Sequence, residues 1–397
     1  MPARRRFTVD ERRARLAGRH GLAAAHRAAD VVEAARRMVC LHGTDPATIF
    51  LSAQARVTGM TVADLECALY RDRSLVKHLA MRRTLFVFPR ERLADAQAGA
   101  SERVARQERR RLVGLVERAG LQRNGARWLE KVSSQVVEAL SDGREMTVAE
   151  LRREVPLLDG AVTYGEGKAW GGTMAIGPRV LTVLSAAGAV VRATNAGAWT
   201  TSRPRWAAMP AWLGAPIEPR SEADGTAGLV EAWLRAFGPG TDTDIAWWLG
   251  STLTAVRRAL ATMKAVAGDI DGRVGYVMPD DLDDVGPVAP WIALLPALDP
   301  TTMGWKERDW YLGPHKRDVF DTNGNAGATI WCDGRIVGGW RLQGTGEVEV
   351  QLLEDVGREA RLSIDAEAVR LTGWLAGARV QPRFPSPLCR RAATQTP

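Results

Sequence analysis

Met60-Thr61-Val62-Ala63-Asp64-Leu65 returns as Met146-Thr147-Val148-Ala149-Glu150-Leu151, and a looser copy reads Thr243-Asp244-Ile245-Ala246-Trp247-Trp248. In the first two copies a Thr stands three residues before a carboxylate, at the head of an apolar run. That spacing lets the hydroxyl and the carboxylate each satisfy a backbone N–H that a helix start leaves bare. Each copy therefore predicts a helix start. After each comes a second amphipathic stretch and then a short β-prone run, at residues 84–88, 189–193 and 274–278. Helix, turn, helix, strand is the order of a winged helix-turn-helix. The copies lie 86 and 96 residues apart, beyond the ~20–50 residues of a solenoid repeat, so three tandem winged helices are expected.

These marks divide the chain of 397 residues. A mostly helical first domain is expected over 1–130, a second winged helix over 131–221 and a third over 222–285. The second is interrupted by the Gly-rich stretch Tyr164-Gly165-Glu166-Gly167-Lys168-Ala169-Trp170-Gly171-Gly172, which lacks the lysine and hydroxyl pattern of a nucleotide loop. Over 286–397 the pattern turns from helical to β. Asp333-Gly334 between two apolar runs predicts a tight hairpin, 346–353 a further strand and 365–372 a helix. The expected class is mainly α with β: three winged helices in a C-shaped arrangement, closed by a small β-barrel or curved sheet.

No apolar run approaches the ~18 residues of a membrane span, and Met1-Pro2-Ala3-Arg4-Arg5-Arg6 leads into no apolar signal region. A cytoplasmic protein is expected. Cys40, Cys67, Cys332 and Cys389 are isolated, without CxxC pairs, so neither a disulfide framework nor zinc is indicated. The net charge is +8. Its distribution is uneven: residues 1–40 carry ten Arg against four acids, and 101–127 eight Arg against three Glu. Such surpluses attract phosphate, although a solvated helix face accounts for the Arg103–Arg111 run equally well.

The segment Leu294-Leu295-Pro296-Ala297-Leu298-Asp299, followed by Gly304, Arg308-Asp309, Val319-Phe320, Asn323-Gly324 and Trp331-Cys332-Asp333-Gly334-Arg335-Ile336-Val337-Gly338-Gly339-Trp340, resembles the C-terminal block of the AlkZ/YcaQ-like winged-helix superfamily. Members include bacterial DNA glycosylases that release alkylated bases and unhook interstrand crosslinks. The resemblance implies three winged helices and a β-barrel around a concave DNA-binding face. It also implies a catalytic Gln-x-Gln or Gln-x-Asp motif near the end of an early helix, just before an Asp-Pro-like step. Here that place reads Leu41-His42-Gly43-Thr44-Asp45-Pro46, with His42 and Thr44 where the two polar catalytic residues would stand.

Local chemistry fits this place. Val31, Val32, Ala35, Met38 and Val39 predict an amphipathic helix over 30–41, which Gly43 can end in the left-handed conformation. Asp45 before Pro46 matches an N-cap followed by Pro at the first helical position. A purine alkylated at N7 or N3 is already cationic, so its glycosidic bond ionises without strong acid help. A neutral His42 can take a proton from the attacking water or shield the oxocarbenium-like sugar, while Thr44 orients the water. The bland reading is that His42 caps helix carbonyls and Thr44 makes a turn bond. Asp45 is a rival for the water, with capping as its other role.

Expected DNA contacts are Arg36, Arg308, Arg335 and the basic turn His315-Lys316-Arg317, with Trp305 or Trp310 as a surface for base stacking. Of Trp247 and Trp248 in the third copy at least one reads as core, and Trp331 and Trp340 read as packing of the hairpin strands. The function expected is a monomeric, monofunctional glycosylase, cytoplasmic and nucleoid-associated. It would act on alkylated or crosslinked bases in double-stranded DNA without metal or cofactor. The alternative is a non-catalytic winged-helix transcription regulator, which usually carries one such unit with a dimerising domain.

Overall fold

The computed structural model describes residues 5–164 and 172–394. One order of elements occurs three times. The first unit has helix Val31–Arg37, strand Leu41–His42, helix Pro46–Gln54, helix Val62–Glu66 and the hairpin Leu75–Ala80 with Thr84–Pro89. Leu41 and His42 pair with Val87 and Phe86, placing the short strand beside the second hairpin strand. In the second unit, helices Gly125–Ala139, Val148–Glu154 and Gly177–Ala186 precede the hairpin Val190–Asn195 with Pro204–Ala208, and Met146 bridges to Trp206. The third repeats this with helices Glu222–Phe237, Asp242–Leu249 and Leu253–Thr262, the hairpin Val266–Ile270 with Arg273–Val277, and a bridge from Gly240 to Tyr276. Strand Arg6–Phe7 extends that hairpin in parallel.

The first two helix starts form at the threonines of the repeat and the third forms close by, and each is a complete capping box. Thr61 pairs with Asp64, Thr147 with Glu150, and Thr241 with Asp244. The third start thus lies at Thr241, two residues before the Thr243 that the repeat suggested; what the fold keeps is the three-residue step to the carboxylate. The first copy is also one helix out of phase. Thr147 and Thr241 cap the helix directly after the short strand, whereas in the first unit that helix is capped by Asp45, whose side chain accepts from the Ala47 N–H at 3.2 Å. The Leu41–Pro46 segment therefore occupies the same strand-to-helix junction as residues 146–147 and 240–241.

The expected helix over 30–41 stops at Arg37, and Leu41-His42 is a strand. The chain leaves the helix through Val39, at φ +65° and fully buried. A β-branched residue in the left-handed region carries strain. Gly43 does not take the left-handed role. It donates to the Leu85 carbonyl at 2.8 Å, and a Cβ there would meet that oxygen at 3.2 Å. Its smallness serves a close strand approach.

Over the C-terminal part, Ile292–Leu295, Thr329–Cys332, Arg335–Leu342 and Val348–Leu352 form an open antiparallel sheet in that order, covered by helix Arg358–Leu375. The expected barrel does not close: the first and last strands do not pair. The Asp333-Gly334 turn forms with φ values of +47° and +83°, as a tight hairpin requires. Strands 161–164 and 172–175 pair with each other, and the Gly-rich stretch between them lies outside the described residues.

The helices of the second unit enclose a separate core, while the first and third units share one with the 291–336 region, to which the second unit's hairpin adds Val191, Ala193 and Ala207. A fully buried ion pair crosses that shared core. Arg56 donates twice to Asp299, at 2.9 and 2.7 Å, and Ser52 donates to the same carboxylate at 2.7 Å. Burial alone would raise the Asp299 pKa, but the Arg56 charge and the hydrogen bonds outweigh it and hold it below the usual range. Among the described residues no helix is long and apolar enough to cross a membrane.

Candidate functional site

His42 is 8% exposed and meets Phe86 edge-to-face at 5.3 Å. Its Nδ1 accepts a long hydrogen bond, 3.4 Å, from the Thr44 backbone N–H, which leaves the ring proton on Nε2. Burial, and then the charge of Arg82, push its pKa down to about 3, so the ring is neutral at physiological pH. The imidazole lines a cleft of about 870 Å³, within the range of sites that take one nucleotide-sized ligand.

The cleft is strongly basic. Arg82, Lys306, Arg308, Lys316, Arg317 and Arg390 line it, and none forms an ion pair among the described residues. Arg82 comes from the hairpin turn of the first unit, where Arg82 and Arg83 take φ values of +53° and +60°. Two successive non-glycine residues in the left-handed region are costly, a pattern associated with functional sites. The Arg82 guanidinium lies 4.2 Å from the ring centre of Trp247, and Arg308 lies 4.9 Å from the same ring and 4.3 Å from that of Phe320. Trp247 stands on the third capped helix. Asp244 at the start of that helix spends its second oxygen on the N–H groups of Lys306 and Glu307, at 3.0 and 2.9 Å. One capping carboxylate thus starts a helix and fixes a cleft loop.

The other residues read from the sequence fall in different places. Thr44 is half-buried and does not line the cleft; only its backbone reaches His42. Asp45, 5% exposed, accepts from the N–H groups of Ala47 and Arg383 at 3.2 and 3.0 Å and lines a separate small cavity with Thr48 and Trp340. Burial raises its pKa. Lys316, Arg317 and Arg308 face the cleft, but His315 does not. His315 Nε2 lies 3.2 Å from Glu354, and Arg335 binds the same carboxylate. Arg36 is paired with Glu91 at 2.7 Å and lines a different cavity.

The stacking expectation is corrected by burial. Trp305 is 1% exposed, enclosed by Phe237, Trp233, Trp310 and Tyr311, and donates to the Phe237 carbonyl. Trp310 is 9% exposed, with the Arg12 guanidinium 4.0 Å above its ring. Neither ring offers a free face to a base. Arg82, Trp247, Lys306, Arg390 and the loop Asp321–Asn325 were missed in the sequence. The Arg82-Arg83 pair directly before the β-prone run at 84–88, and the turn-rich Asp321-Thr322-Asn323-Gly324-Asn325, were the available signals. Among the described residues no cluster of His, Cys, Asp or Glu is arranged to hold a metal ion.

Comparison with known proteins places this cleft in a family context. The model of a family described as DNA glycosylase AlkZ-like matches residues 35–374. Among solved structures, the Streptomyces sahachiroi DNA glycosylase AlkZ superposes with a TM-score of 0.71 at 20% identity, over 96% of this chain and 99% of that one. At that identity the likeness is one of fold. No curated protein sequence matches.

Proposed function

The chain belongs to the AlkZ-like DNA glycosylase family, and from that premise we propose that it is a monofunctional DNA repair glycosylase. Its substrate is duplex DNA carrying an alkylated base of the N7-guanine or N3-adenine type, bulky or crosslinked adducts included. The three repeated units act as three winged helices that hold the duplex, and the enzyme works as a monomer. One observation carries the reading: a neutral, buried His42 faces a nucleotide-sized cleft lined by six cations that form no ion pair among the described residues.

Those cations bind phosphates and bring the reacting nucleotide to His42. With its proton on Nε2, His42 donates a hydrogen bond into the cleft and orients the attacking water. Thr44 fixes the imidazole through its backbone N–H, in place of the direct contact its side chain would make. The lesion supplies much of the driving force, because a cationic base is a good leaving group. Water is the nucleophile, so Lys306 and Lys316 hold phosphate and form no covalent adduct.

The test is to incubate the protein with duplexes carrying N7-alkylguanine, N3-alkyladenine or a crosslink, and to measure free base and alkali-labile abasic sites. Base release from at least one lesion is expected. His42→Ala should lower it about 100-fold with duplex affinity kept, the scale of a positioned polar catalytic group. Thr44→Ala should retain most activity, and borohydride should trap no protein–DNA adduct. No release from any lesion, with tight preference for one operator sequence, would replace the enzyme by a transcription regulator.

A further inference from the structure

The cleft that attracts phosphate has an electrostatic problem. Six cations without an ion pair among the described residues raise the potential where a cationic base enters and where the sugar becomes cationic as the bond breaks. His42 does not relieve it, because the ring is neutral and its Nδ1 faces the Thr44 N–H. Asp45 does not either, because it lies outside the cleft and lines a separate cavity.

One carboxylate lines the cleft among the described residues, that of Asp321. The loop around it is built to hold it in place. Its Oδ1 accepts from the N–H groups of Asn323 and Asn325, both at 2.8 Å, and its Oδ2 from the Asn325 side-chain amide at 2.9 Å. Gly324, at φ +81°, lets the loop reverse, and the Asp321 N–H reaches the Asn325 carbonyl at 3.0 Å. Every donor here is a neutral amide, and among the described residues no ion pair cancels the charge. Burial pushes the carboxyl up, but the hydrogen bonds from Asn325 and Asn323 outweigh it and hold it below the usual range, so it is ionised at neutral pH.

We propose that Asp321 is a catalytic residue of this site, facing the positive charge that develops on the sugar and taking the proton of the attacking water. The inference rests on the glycosylase reading above. As the C1′–N bond breaks, its electron pair leaves with the base and cancels the charge that alkylation had placed there. A lone pair of the water held by His42 forms the C1′–O bond, and one proton of that oxygen passes to the Asp321 carboxylate. The oxygen attached to C1′ is then strongly acidic, so a weak base suffices. The carboxylate supplies from the loop the anion that Thr44 lacks in the His42-Gly43-Thr44 segment.

The test uses the full chain and two duplexes that differ at one nucleotide. One carries a pyrrolidine abasic analogue, cationic near the position of C1′, and the other an uncharged tetrahydrofuran. The wild type should bind the pyrrolidine duplex about tenfold more tightly. Asp321→Asn should lower that ratio to about twofold or less, the ratio cancelling any change in general duplex affinity, and Asp321→Glu should retain the preference. No preference in the wild type, or an undiminished one in Asp321→Asn, overturns the inference. So does a loss in Asp321→Glu equal to that in Asp321→Asn, since loop shape rather than charge would then be responsible. Equal base-release rates for Asp321→Asn and wild type also overturn it while leaving the glycosylase reading intact. Absence of release from the wild type defeats that reading itself, and the binding ratio is read separately.

Discussion

The two larger arginine-bearing cavities of this protein differ in what their arginines touch. In the cavity of about 650 Å³ beside helices Val9–Arg19, Val31–Arg37 and Glu222–Phe237, every arginine has a carboxylate. Arg15 and Arg19 share Asp281, Arg36 takes Glu91, Arg37 takes Glu33, Arg92 takes Asp95, and Arg235 takes Glu231 and Asp280. In the cleft beside His42, six cations have no such partner among the described residues. A count of basic residues therefore does not locate a polyanion surface; the absence of paired acids does. Much of the arginine surplus over residues 1–40 is paired within the fold: Arg5, Arg15 and Arg19 reach Asp281 or Asp284, and Arg12, Arg36 and Arg37 reach Asp271, Glu91 and Glu33.

Pairing reaches its extreme at Arg56 and Asp299, neither of which is exposed. There the charges serve only the fold, so this site should show the largest effect. Asp299→Ala leaves a buried guanidinium without its anion, and unfolding free energy should drop by about 3–5 kcal/mol. Chemical denaturation measures it. A loss below about 1 kcal/mol would mean that the pair contributes little beyond what water supplies.

The cleft is set apart also by a histidine that resists protonation, and two further histidines behave alike. Burial lowers His20 and His42 to about 3 and His78 to about 4. Between those values and the unfolded pKa of about 6.5, the unfolded chain binds more protons than the native one, so acid favours unfolding. The stability these neutral rings contribute is present above pH 6.5 and declines as pH falls. Each should cost roughly 1 kcal/mol between pH 6 and 5, about 3.5 kcal/mol for the three together. Denaturant midpoints at the two pH values test this, with His42→Ala expected to reduce the slope by about a third. Base release should show no inflection near pH 6.5.

The cations themselves come next. Replacing Lys306, Lys316 and Arg317 by Ala removes three charges from the cleft. Duplex affinity should fall by about 10- to 100-fold, and the dependence of log K on log salt should flatten by about 2.7. Unchanged affinity and slope would place the duplex elsewhere and erase the contrast between the cavities.

Much of this organisation was legible in sequence, and the losses have a common cause. Helix starts are local events, so the spacing from Thr to carboxylate located the first two capped helices, and the looser third copy came within two residues of the cap at Thr241. The Asp333-Gly334 hairpin is equally local. Barrel closure depends on whether 292–295 meets 348–352, which the patterning of either strand does not encode. At the cleft, His42 was singled out by the family resemblance over Leu41–Pro46, since its local sequence also reads as a helix-end cap, and Lys316, Arg317 and Arg308 because they are basic in a turn-rich stretch. Arg82, Trp247 and Asp321 come from three distant segments, and folding alone makes them neighbours. The misplacement of Trp305 has the same origin: a loop-like context hid a ring clasped by four aromatic neighbours.

The smallest expected effect lies at Arg36 and Arg335, basic residues that sequence alone assigned to DNA. Arg36 and Glu91 are both about half exposed, so their ion pair contributes about 0–1 kcal/mol to stability. Arg335 shares Glu354 with His315, and that carboxylate offsets its charge. Arg36→Ala and Arg335→Ala should therefore each change duplex affinity by less than about twofold and leave the salt slope unaltered. Glu91→Gln sharpens the point, because it frees Arg36 without adding a charge. If freeing Arg36 strengthens binding to nonspecific duplex while Arg36→Ala does nothing, pairing is what keeps the second cavity silent. If Arg36→Ala weakens binding as strongly as loss of a cleft cation, the duplex covers both cavities and ion pairing does not separate them.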